Sequence, residues 1–135
     1  MGKAALAVFI GKHFGNEIAF FTALGAFAGH VFPVWLNFQG GKGVATYAGT
    51  LLALDWQVFL IAGVTWIAIA FISRISSLAA LLTAVLVPVY MALMGQALFG
   101  GLALILGVLV FITHRSNIAR LLDGTEPRIG ASKSN

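Results

Sequence analysis

Residues 56–73 read WQVFLIAGVTWIAIAFIS, a stretch without any charged side chain, and Arg74 follows it directly. A helix needs about 20 predominantly apolar residues to cross the hydrocarbon of a bilayer. The stretch is therefore a strong candidate for a membrane span, and a basic residue at its end is typical of a cytoplasmic boundary. Two comparable apolar stretches follow it, at 78–94 and 97–113, and the first of these contains Pro88.

The composition of the whole chain agrees with a membrane protein. Of its 135 residues, 60% are hydrophobic and 9% are charged, and the mean hydropathy is +0.99. Soluble domains carry about 25% charged residues, so a water-soluble surface cannot be built from this composition. The absence of cysteine excludes disulfides and cysteine-ligated metals. The net charge of +4 does not indicate nucleic-acid binding, because the basic residues lie at the ends of apolar stretches instead of forming a patch.

The other apolar stretches lie earlier in the chain and are less regular. Residues 18–36 form the first plausible span, and His30 and Pro33 predict an irregular end to it. Residues 4–10 are too few to cross a bilayer, and residues 44–54 are short. We predict an all-α, polytopic transmembrane helical bundle with about five to six membrane segments, folded as a single membrane domain over residues 1–135.

The distribution of basic residues predicts which loops share a face of the membrane. Lysine and arginine concentrate on the cytoplasmic side. If the tail, residues 115–135, is cytoplasmic, then Gly40–Gly43 and Arg74 lie on the same side, while Asp55 and Gln96 lie on the opposite side. The glycine loop, the loop after Arg74 and the tail are therefore predicted to line one cytoplasmic pocket.

The loop Gly40-Gly41-Lys42-Gly43 is the most informative polar segment. Its glycines let the backbone bend and expose N–H groups, and its lysine supplies a fixed positive charge. It is not a Walker A loop, which needs serine or threonine where Gly43 stands. The loop opens a helix at Val44, and a helix N-terminus favours an anion. The pattern predicts either a phosphate site or a tight interhelical turn that carries a cytoplasmic lysine.

Two further polar segments carry side chains suited to an anionic ligand. Ser77 is placed to cap the helix over 78–94, and its hydroxyl could also donate to a phosphate oxygen. His114 and Asn117 are three residues apart on one helical face, where they could jointly hold one oxyanion or hydroxyl. Gly124 predicts the end of that helix. The alternative is a basic tail that lies on anionic lipid headgroups.

Three motifs resemble the signatures of one protein family. Residues 29–46, GHVFPVWLNFQGGKGVAT, resemble the second signature of the bacterial acyl-phosphate:glycerol-3-phosphate acyltransferases. Residues 114–128, HRSNIARLLDGTEPR, resemble the third signature, and residues 74–78, RISSL, are similar to a shorter element between the two. The motifs occur in the order of the family and extend over nearly the whole chain, which is therefore identified as a member.

The resemblance implies a multi-pass enzyme of the bacterial inner membrane, with seven helices and an active site that faces the cytoplasm. Such enzymes transfer a fatty acyl group from acyl phosphate to the 1-hydroxyl of glycerol 3-phosphate. The products are lysophosphatidate and phosphate, in phospholipid synthesis. The implied partners are glycerol 3-phosphate, acyl phosphate, membrane lipids and a soluble enzyme that produces acyl phosphate, but no nucleic acid. No metal or organic cofactor is implied.

The resemblance also implies roles for individual residues. Lys42 would neutralise phosphate, and Lys42 and His114 are assigned as catalytic. The proton of the attacking hydroxyl could pass either to His114 or to a substrate phosphate. We favour the substrate phosphate, with His114 as a binding and orienting group. Glu126 would position the tail or a neighbouring basic group, and His30 and Phe32 would shape the glycine loop. The implied substrate-binding residues are Gly40, Gly41, Lys42, Gly43, Ser77, His114, Asn117 and Glu126.

One feature of the family is absent from the chain. The first signature, a SGNPGATN loop after the first helix, does not occur, and the chain begins at a segment that resembles the second helix of the family. We therefore expect the membrane domain to be incomplete at its N-terminus and inactive or very weak by itself. Two other interpretations stay open: a non-catalytic multispan protein that binds an anion or a lipid headgroup, and a small anion transporter with Lys42 on its permeation path.

Overall fold

The computed structural model describes residues 1–33 and 40–130, and over these residues it is entirely helical and irregular, without strands. This confirms the prediction of an all-α fold. Residues 34–39, inside the glycine-loop motif, and residues 131–135, at the end of the predicted tail, lie outside the described residues. The helices of the described part are α1 (Gly2–His13), α2 (Asn16–Val31), α3 (Val44–Leu54), α4 (Trp56–Ser73), α5 (Ser76–Leu93), α6 (Ala97–Thr113) and α7 (Arg115–Leu122).

The helix boundaries follow local sequence signals. The predicted stretches 56–73 and 97–113 coincide with α4 and α6. Helix α2 ends at Val31, before the predicted limit at residue 36. The physical reason is Pro33, because a residue that precedes proline is driven out of the helical conformation. Phe32 accordingly has φ −119° and ψ 58°.

Length and hydropathy identify the helices able to cross a membrane. Trp56–Ser73 and Ser76–Leu93 each qualify, and α5 continues through Pro88. Ala97–Thr113 and Arg115–Leu122 qualify together as one broken span with a bend of 65°. Helix α3, Val44–Leu54, is apolar but shorter. The expected number of five to six membrane segments stays a prediction.

The packing of the bundle separates a buried core from an apolar outer surface. Helix α1 packs against α2 and α3, α4 packs against α5, and α5 packs against α6. Phe27, Met91 and Leu102 are fully buried at the centre. On the outside, Phe71 and Ile72 are 84% and 82% exposed. In a lipid bilayer such side chains contact hydrocarbon, so an apolar exterior is the expected surface of a membrane protein.

Asp55 joins two turns at one end of the bundle. Its Oδ1 atom accepts hydrogen bonds from the backbone N–H groups of Gln57, at 2.8 Å, and Val58, at 3.1 Å, and so caps α4. The side-chain amide of Gln96, in the turn between α5 and α6, donates to the other carboxylate oxygen. Lys12 lies at the same end, where its ammonium donates to the carbonyl of Leu54 at 2.5 Å. Asp55, Gln96 and Lys12 therefore form a polar face at this end of the bundle. The predicted placement of Asp55 and Gln96 on the same face is thereby confirmed.

Replacing Asp55 with alanine is expected to lower the free energy of unfolding by about 1–2 kcal/mol, because the cap of α4 is lost. Asp55→Asn retains a capping oxygen and is the matched control. We expect the asparagine variant to unfold, in detergent, at a temperature between those of the wild type and the alanine variant. Equal melting temperatures for wild type and Asp55→Ala would contradict the assigned capping role.

Candidate functional site

The glycine loop is anchored between two helices. Gly43 is buried and has φ +82°, and a Cβ added to it would collide with the ring of Phe27 in α2. A residue with a side chain rarely adopts this left-handed conformation, so glycine is required here. The hydroxyl of Thr113, at the end of α6, donates to the carbonyl of Lys42 at 2.9 Å. The side chain of Lys42 itself is exposed, so its charge is available to a ligand.

The imidazole of His30 lies against the first part of the loop. A Cβ on Gly41 would lie only 2.6 Å from Nε2 of His30. A Cβ on Gly40 would collide with the backbone carbonyl oxygens of His30 and Val31. The predicted role of His30 in shaping the loop is thus supported by its position. Gly40 and Gly41 themselves do not contribute to the cavity described below.

Ser77 has a different role from the helix cap predicted for it. Helix α5 begins at Ser76, and its capping residue is Ile75, so Ser77 already belongs to the first turn. Its hydroxyl donates instead to Oε1 of Glu126 at 2.6 Å. A capping side chain must accept hydrogen bonds from the helix, whereas an ionised carboxylate attracts the hydroxyl proton and forms a stronger bond.

His114 occupies the bend between α6 and α7 and is 2% exposed. Its Nδ1 atom lies 2.8 Å from the carbonyl of Val110. A carbonyl can only accept, so Nδ1 carries the hydrogen and Nε2 is the accepting nitrogen of the neutral ring. Burial lowers the pKa of His114 below its ordinary value of 6.5 and outweighs the hydrogen bond with Val110, which raises it. The charge of Lys42 lowers the pKa further, and the charge of Glu126 raises it by less. The imidazole is therefore neutral at pH 7.

Glu126 organises the segment that follows α7. Gly124 has φ +72° just beyond the end of α7, as predicted, and the chain then folds back. Oε1 of Glu126 accepts from Ser77 and from Nδ2 of Asn117, each at 2.6 Å, and Oε2 accepts from Nε of Arg120 at 2.7 Å. The side chain of Glu126 is 6% exposed. The segment is therefore folded onto the bundle, which a tail lying freely on lipid headgroups would not be.

Arg74 holds the same segment at a second point. It is the capping residue at the end of α4, with φ 58°. Its carbonyl accepts from the N–H of Ile129 at 2.7 Å, and its guanidinium donates to the carbonyl of Ile129 at 3.1 Å. Together with Glu126, this pairing fixes the segment against the loop between α4 and α5.

The hydrogen bonds to Glu126 set the direction of its titration. Burial acts to raise the pKa of the Glu126 carboxyl, but the bonds from Ser77, Asn117 and Arg120, with the charge of Arg120, outweigh burial and lower the pKa below 4.5. A carboxyl group whose pKa is lower in the folded than in the unfolded state contributes to stability. This contribution is fully present at a pH above the pKa of the unfolded state, and it is lost as the pH falls through the pKa of the folded state.

We expect Glu126→Gln to lower the melting temperature at pH 7 and to weaken the loss of stability below about pH 4.5, relative to wild type. The reason is that the amide removes the charge and can no longer accept at both oxygens. The difference is measured by thermal melting of both proteins in detergent between about pH 3 and pH 7, a range that brackets the ordinary pKa of a carboxyl group. Parallel pH profiles would show that Glu126 does not titrate as described.

The three polar segments meet in one cavity of about 590 Å³. This confirms the prediction that they share a face. The predicted site residues that line the cavity are Lys42, Gly43, Ser77, His114, Asn117 and Glu126. Trp66 and Arg120 also line the cavity, although the motifs did not indicate them. The spacing of Asn117 and Arg120, three residues apart on α7, was a usable signal for Arg120, whereas Trp66 comes from the middle of an apolar helix and carried none.

A second cavity, of about 510 Å³, lies beside the polar one between α3, α4, α5 and α6. Its wall is almost entirely apolar, with Leu51, Phe59 and Ile67 among its side chains. The two cavities share Val44, Ala45, Trp66 and Ala80 as wall residues. A site of this form suits a ligand with an anionic head and a hydrocarbon tail, since each part meets an environment of its own polarity.

Known proteins similar to this chain agree in their names. A family model described as glycerol-3-phosphate acyltransferase matches residues 1–124. A protein of Mesorhizobium japonicum named glycerol-3-phosphate acyltransferase is 54% identical over 129 residues, which are 96% of this chain and 66% of that protein. A protein of the same name from Cereibacter sphaeroides is 52% identical over 134 residues, which are 98% of this chain and 64% of that protein. The chain thus spans slightly less than two thirds of these relatives.

Two solved structures are similar in sequence and fold. Both are crystal structures of PlsY, described as an integral membrane glycerol 3-phosphate acyltransferase, one in its glycerol 3-phosphate form and one in its lysophosphatidic acid form. Each superposes with a TM-score of 0.86 at 35% sequence identity and covers 94% of this chain. The matched regions are 64% and 65% of the respective PlsY chains.

Proposed function

The chain belongs to the glycerol-3-phosphate acyltransferase family, and from this premise we propose that it acylates glycerol 3-phosphate. The acyl donor is acyl phosphate, the acceptor is the 1-hydroxyl, and the products are lysophosphatidate and phosphate. The reaction takes place at the cytoplasmic face of the bacterial inner membrane, as a step of phospholipid synthesis. A soluble enzyme that produces acyl phosphate supplies the donor.

The single observation that carries this proposal is the polar cavity beside an apolar one. Glycerol 3-phosphate is small and doubly charged, so it suits the polar cavity. The acyl donor has a phosphate head and a hydrocarbon tail, so it needs both cavities at once. The two PlsY structures, named for a glycerol 3-phosphate form and a lysophosphatidic acid form, support a ligand set of this kind.

Within the polar cavity, each side chain suits one part of the acceptor. Lys42 is an exposed cation that can pair with the phosphate, next to the N–H groups at the start of α3. One N–H of the Asn117 amide donates to Glu126, and the buried Oδ1 of Asn117, which has no partner among the described residues, can accept from a glycerol hydroxyl. Ser77 retains the lone pairs of its oxygen, and Glu126 holds it and Asn117 in place.

The chemical step needs alignment more than activation, because acyl phosphate already carries a good leaving group. The oxygen of the 1-hydroxyl attacks the acyl carbonyl carbon and forms the ester C–O bond. The bond between that carbon and the phosphate oxygen then breaks, and its electron pair leaves with phosphate. Alignment of two bound reactants can remove about 7–11 kcal/mol from a barrier. Lys42 offsets the repulsion between the two anions during this alignment.

The proton of the attacking hydroxyl passes to a substrate phosphate, while His114 binds and orients through Nε2. A neutral imidazole with Nδ1–H held by Val110 presents this nitrogen as an acceptor. The lowered pKa keeps the ring in this form at pH 7. The same nitrogen is a direct proton acceptor in the alternative mechanism, so the position of His114 is compatible with both.

The protonation of His114 provides a prediction. We expect its midpoint in a histidine-labelled NMR titration to lie below 6.5. Lys42→Met should raise this midpoint because a nearby positive charge disfavours the imidazolium, whereas Glu126→Gln should lower it because a negative charge is removed. Lys3→Met, a charge change near the N-terminus, is the control. A midpoint insensitive to both Lys42 and Glu126 would contradict their shared electrostatic environment.

The activity is tested on two forms of the protein. One is the 135-residue chain, and the other is a chimera in which the chain is joined to the part of the Mesorhizobium japonicum relative that it does not match. Each form is purified in detergent and supplied with acyl phosphate and radiolabelled glycerol 3-phosphate. We expect the chimera to form labelled lysophosphatidate and to release phosphate in equal amounts. Acyl coenzyme A in place of acyl phosphate is the control for the identity of the donor.

The same preparations distinguish the other interpretations. A chimera that binds glycerol 3-phosphate but forms no product, with either donor, would favour a non-catalytic anion-binding protein. Phosphate flux across liposomes containing the protein, in the absence of acyl phosphate, would favour a transporter. Product formed only from acyl coenzyme A would retain acylation but overturn the proposed donor.

A further inference from the structure

Trp66 stands at the junction of the two cavities. Of the four wall residues that the cavities share, the other three are Val44, Ala45 and Ala80, which have no polar side-chain atom. The indole of Trp66 has an N–H group that can donate but not accept. It is therefore the one hydrogen-bonding side chain in the shared wall of the described structure.

The indole N–H of Trp66 is buried and has no hydrogen-bond partner among the described residues. Tryptophan N–H groups that are buried usually have such a partner. Elsewhere in α4, Thr65 satisfies its hydroxyl through the carbonyl of Ile61 at 2.8 Å, as helical threonines commonly do. The unpaired indole thus stands out within its own helix.

The unpaired groups are concentrated at the cavities. Four buried side-chain atoms lack a partner among the described residues, and they belong to Thr50, Trp66, Thr83 and Asn117. Asn117 lines the polar cavity, Thr83 lines the apolar cavity, and Trp66 lines both. Three of the four unpaired groups therefore belong to residues that line the cavities. For Trp66 the ligand must present an acceptor at the boundary between its polar head and its apolar tail.

We propose that the indole N–H of Trp66 donates a hydrogen bond to the carbonyl oxygen of the acyl group, at the point where the hydrocarbon tail meets the phosphate head. This inference rests on the proposed function, because an acyl phosphate or its ester product is the ligand class that has a carbonyl at this point. Glycerol 3-phosphate alone has no tail, and a plain alkyl chain has no acceptor. Trp66 is thus a binding residue that selects carbonyl-bearing lipids.

A matched pair of ligands tests the proposal. A long-chain 2-oxoalkyl phosphonate keeps the carbonyl, the phosphonate head and the tail, but cannot transfer its acyl group. The alkyl phosphonate of the same chain length lacks only the carbonyl. Affinities for both are measured by calorimetry in detergent on the chimera described above, as wild type, as Trp66→Phe and as the control Trp56→Phe. Trp56 is the first residue of α4 and is 61% exposed.

We expect Trp66→Phe to weaken binding of the oxoalkyl phosphonate about tenfold, the equivalent of one hydrogen bond, and to change binding of the alkyl phosphonate less than about twofold. Trp56→Phe should change neither. Equal weakening of both ligands would assign Trp66 a packing role and overturn the proposal, as would an unchanged affinity for the oxoalkyl phosphonate.

Two further outcomes are informative. If Trp66→Phe fails to fold, the indole N–H signal of Trp66 is followed by NMR in the ¹⁵N-labelled wild type instead. We expect this signal to shift downfield when the oxoalkyl phosphonate binds, but not when the alkyl phosphonate binds. A chimera that shows the carbonyl preference but transfers no acyl group contradicts the proposed function and supports this inference. A chimera that binds neither phosphonate overturns both.

Discussion

Replacing Lys42 with alanine is expected to reduce acyl transfer by the chimera about 100- to 1000-fold, which corresponds to the loss of one well-placed electrostatic contact in the transition state. Lys42 is the cation of the glycine loop, and it lines the cavity beside Ser77 and His114. In the proposed reaction two anions approach each other there, and without a positive charge their repulsion raises the barrier. Steady-state rates with acyl phosphate and glycerol 3-phosphate measure the effect.

The same substitution is expected to leave the fold intact, because the lysine side chain is exposed and the contact with Thr113 uses the backbone carbonyl. Lys42→Arg keeps the charge and serves as the matched control, with a smaller loss expected because its geometry differs. A melting temperature close to that of wild type shows that the loss lies in the chemistry. Unchanged activity of Lys42→Ala would refute the role assigned to Lys42.

Replacing Gly43 with alanine is expected to lower the free energy of unfolding by about 2–5 kcal/mol. The backbone conformation at this position is left-handed, with φ +82°, and disfavours any side chain. The added Cβ would also collide with the ring of Phe27, which is fully buried. Folded proteins are stable by only about 5–15 kcal/mol, so a large part of the stability is at stake.

Gly25→Ala is the matched control for Gly43→Ala. Gly25 lies in α2, and no heavy atom lies within 4 Å of a Cβ added to it. We expect this control to be neutral or to stabilise the helix by up to about 1 kcal/mol. Thermal unfolding in detergent compares the three proteins. A Gly43→Ala variant as stable as wild type would show that neither the backbone conformation nor the contact with Phe27 constrains the loop.

The helices could be predicted because each depends on a continuous local pattern. The stretch 56–73 is apolar throughout, and a charged residue at each side marks its limits, Asp55 before it and Arg74 after it. Pro33 indicated an irregular end to α2. A proline drives the residue before it out of the helical conformation, and this residue is Phe32, so the helix stops at Val31.

The role of Ser77 illustrates what local sequence cannot specify. Its position before an apolar stretch predicts a cap, and the same residue in the structure donates to Glu126, which lies 49 positions further along the chain. A hydroxyl can serve either purpose, and the choice depends on which acceptor is nearest in space. The ion pair of Arg120 with Glu126 at 2.7 Å is equally a product of the turn at Gly124.

The amino-acid sequence by itself determined that this protein is an all-α membrane protein, and its motifs indicated the family and six of the residues that line the polar cavity. These properties depend on hydrophobicity and on residue types at short spacings, which a linear pattern contains. Only the tertiary structure decided that Glu126 gathers Ser77, Asn117 and Arg120, and that Trp66 stands between a polar and an apolar cavity. Such contacts join residues from different helices, so they arise only when the packing of the bundle sets the distances between them.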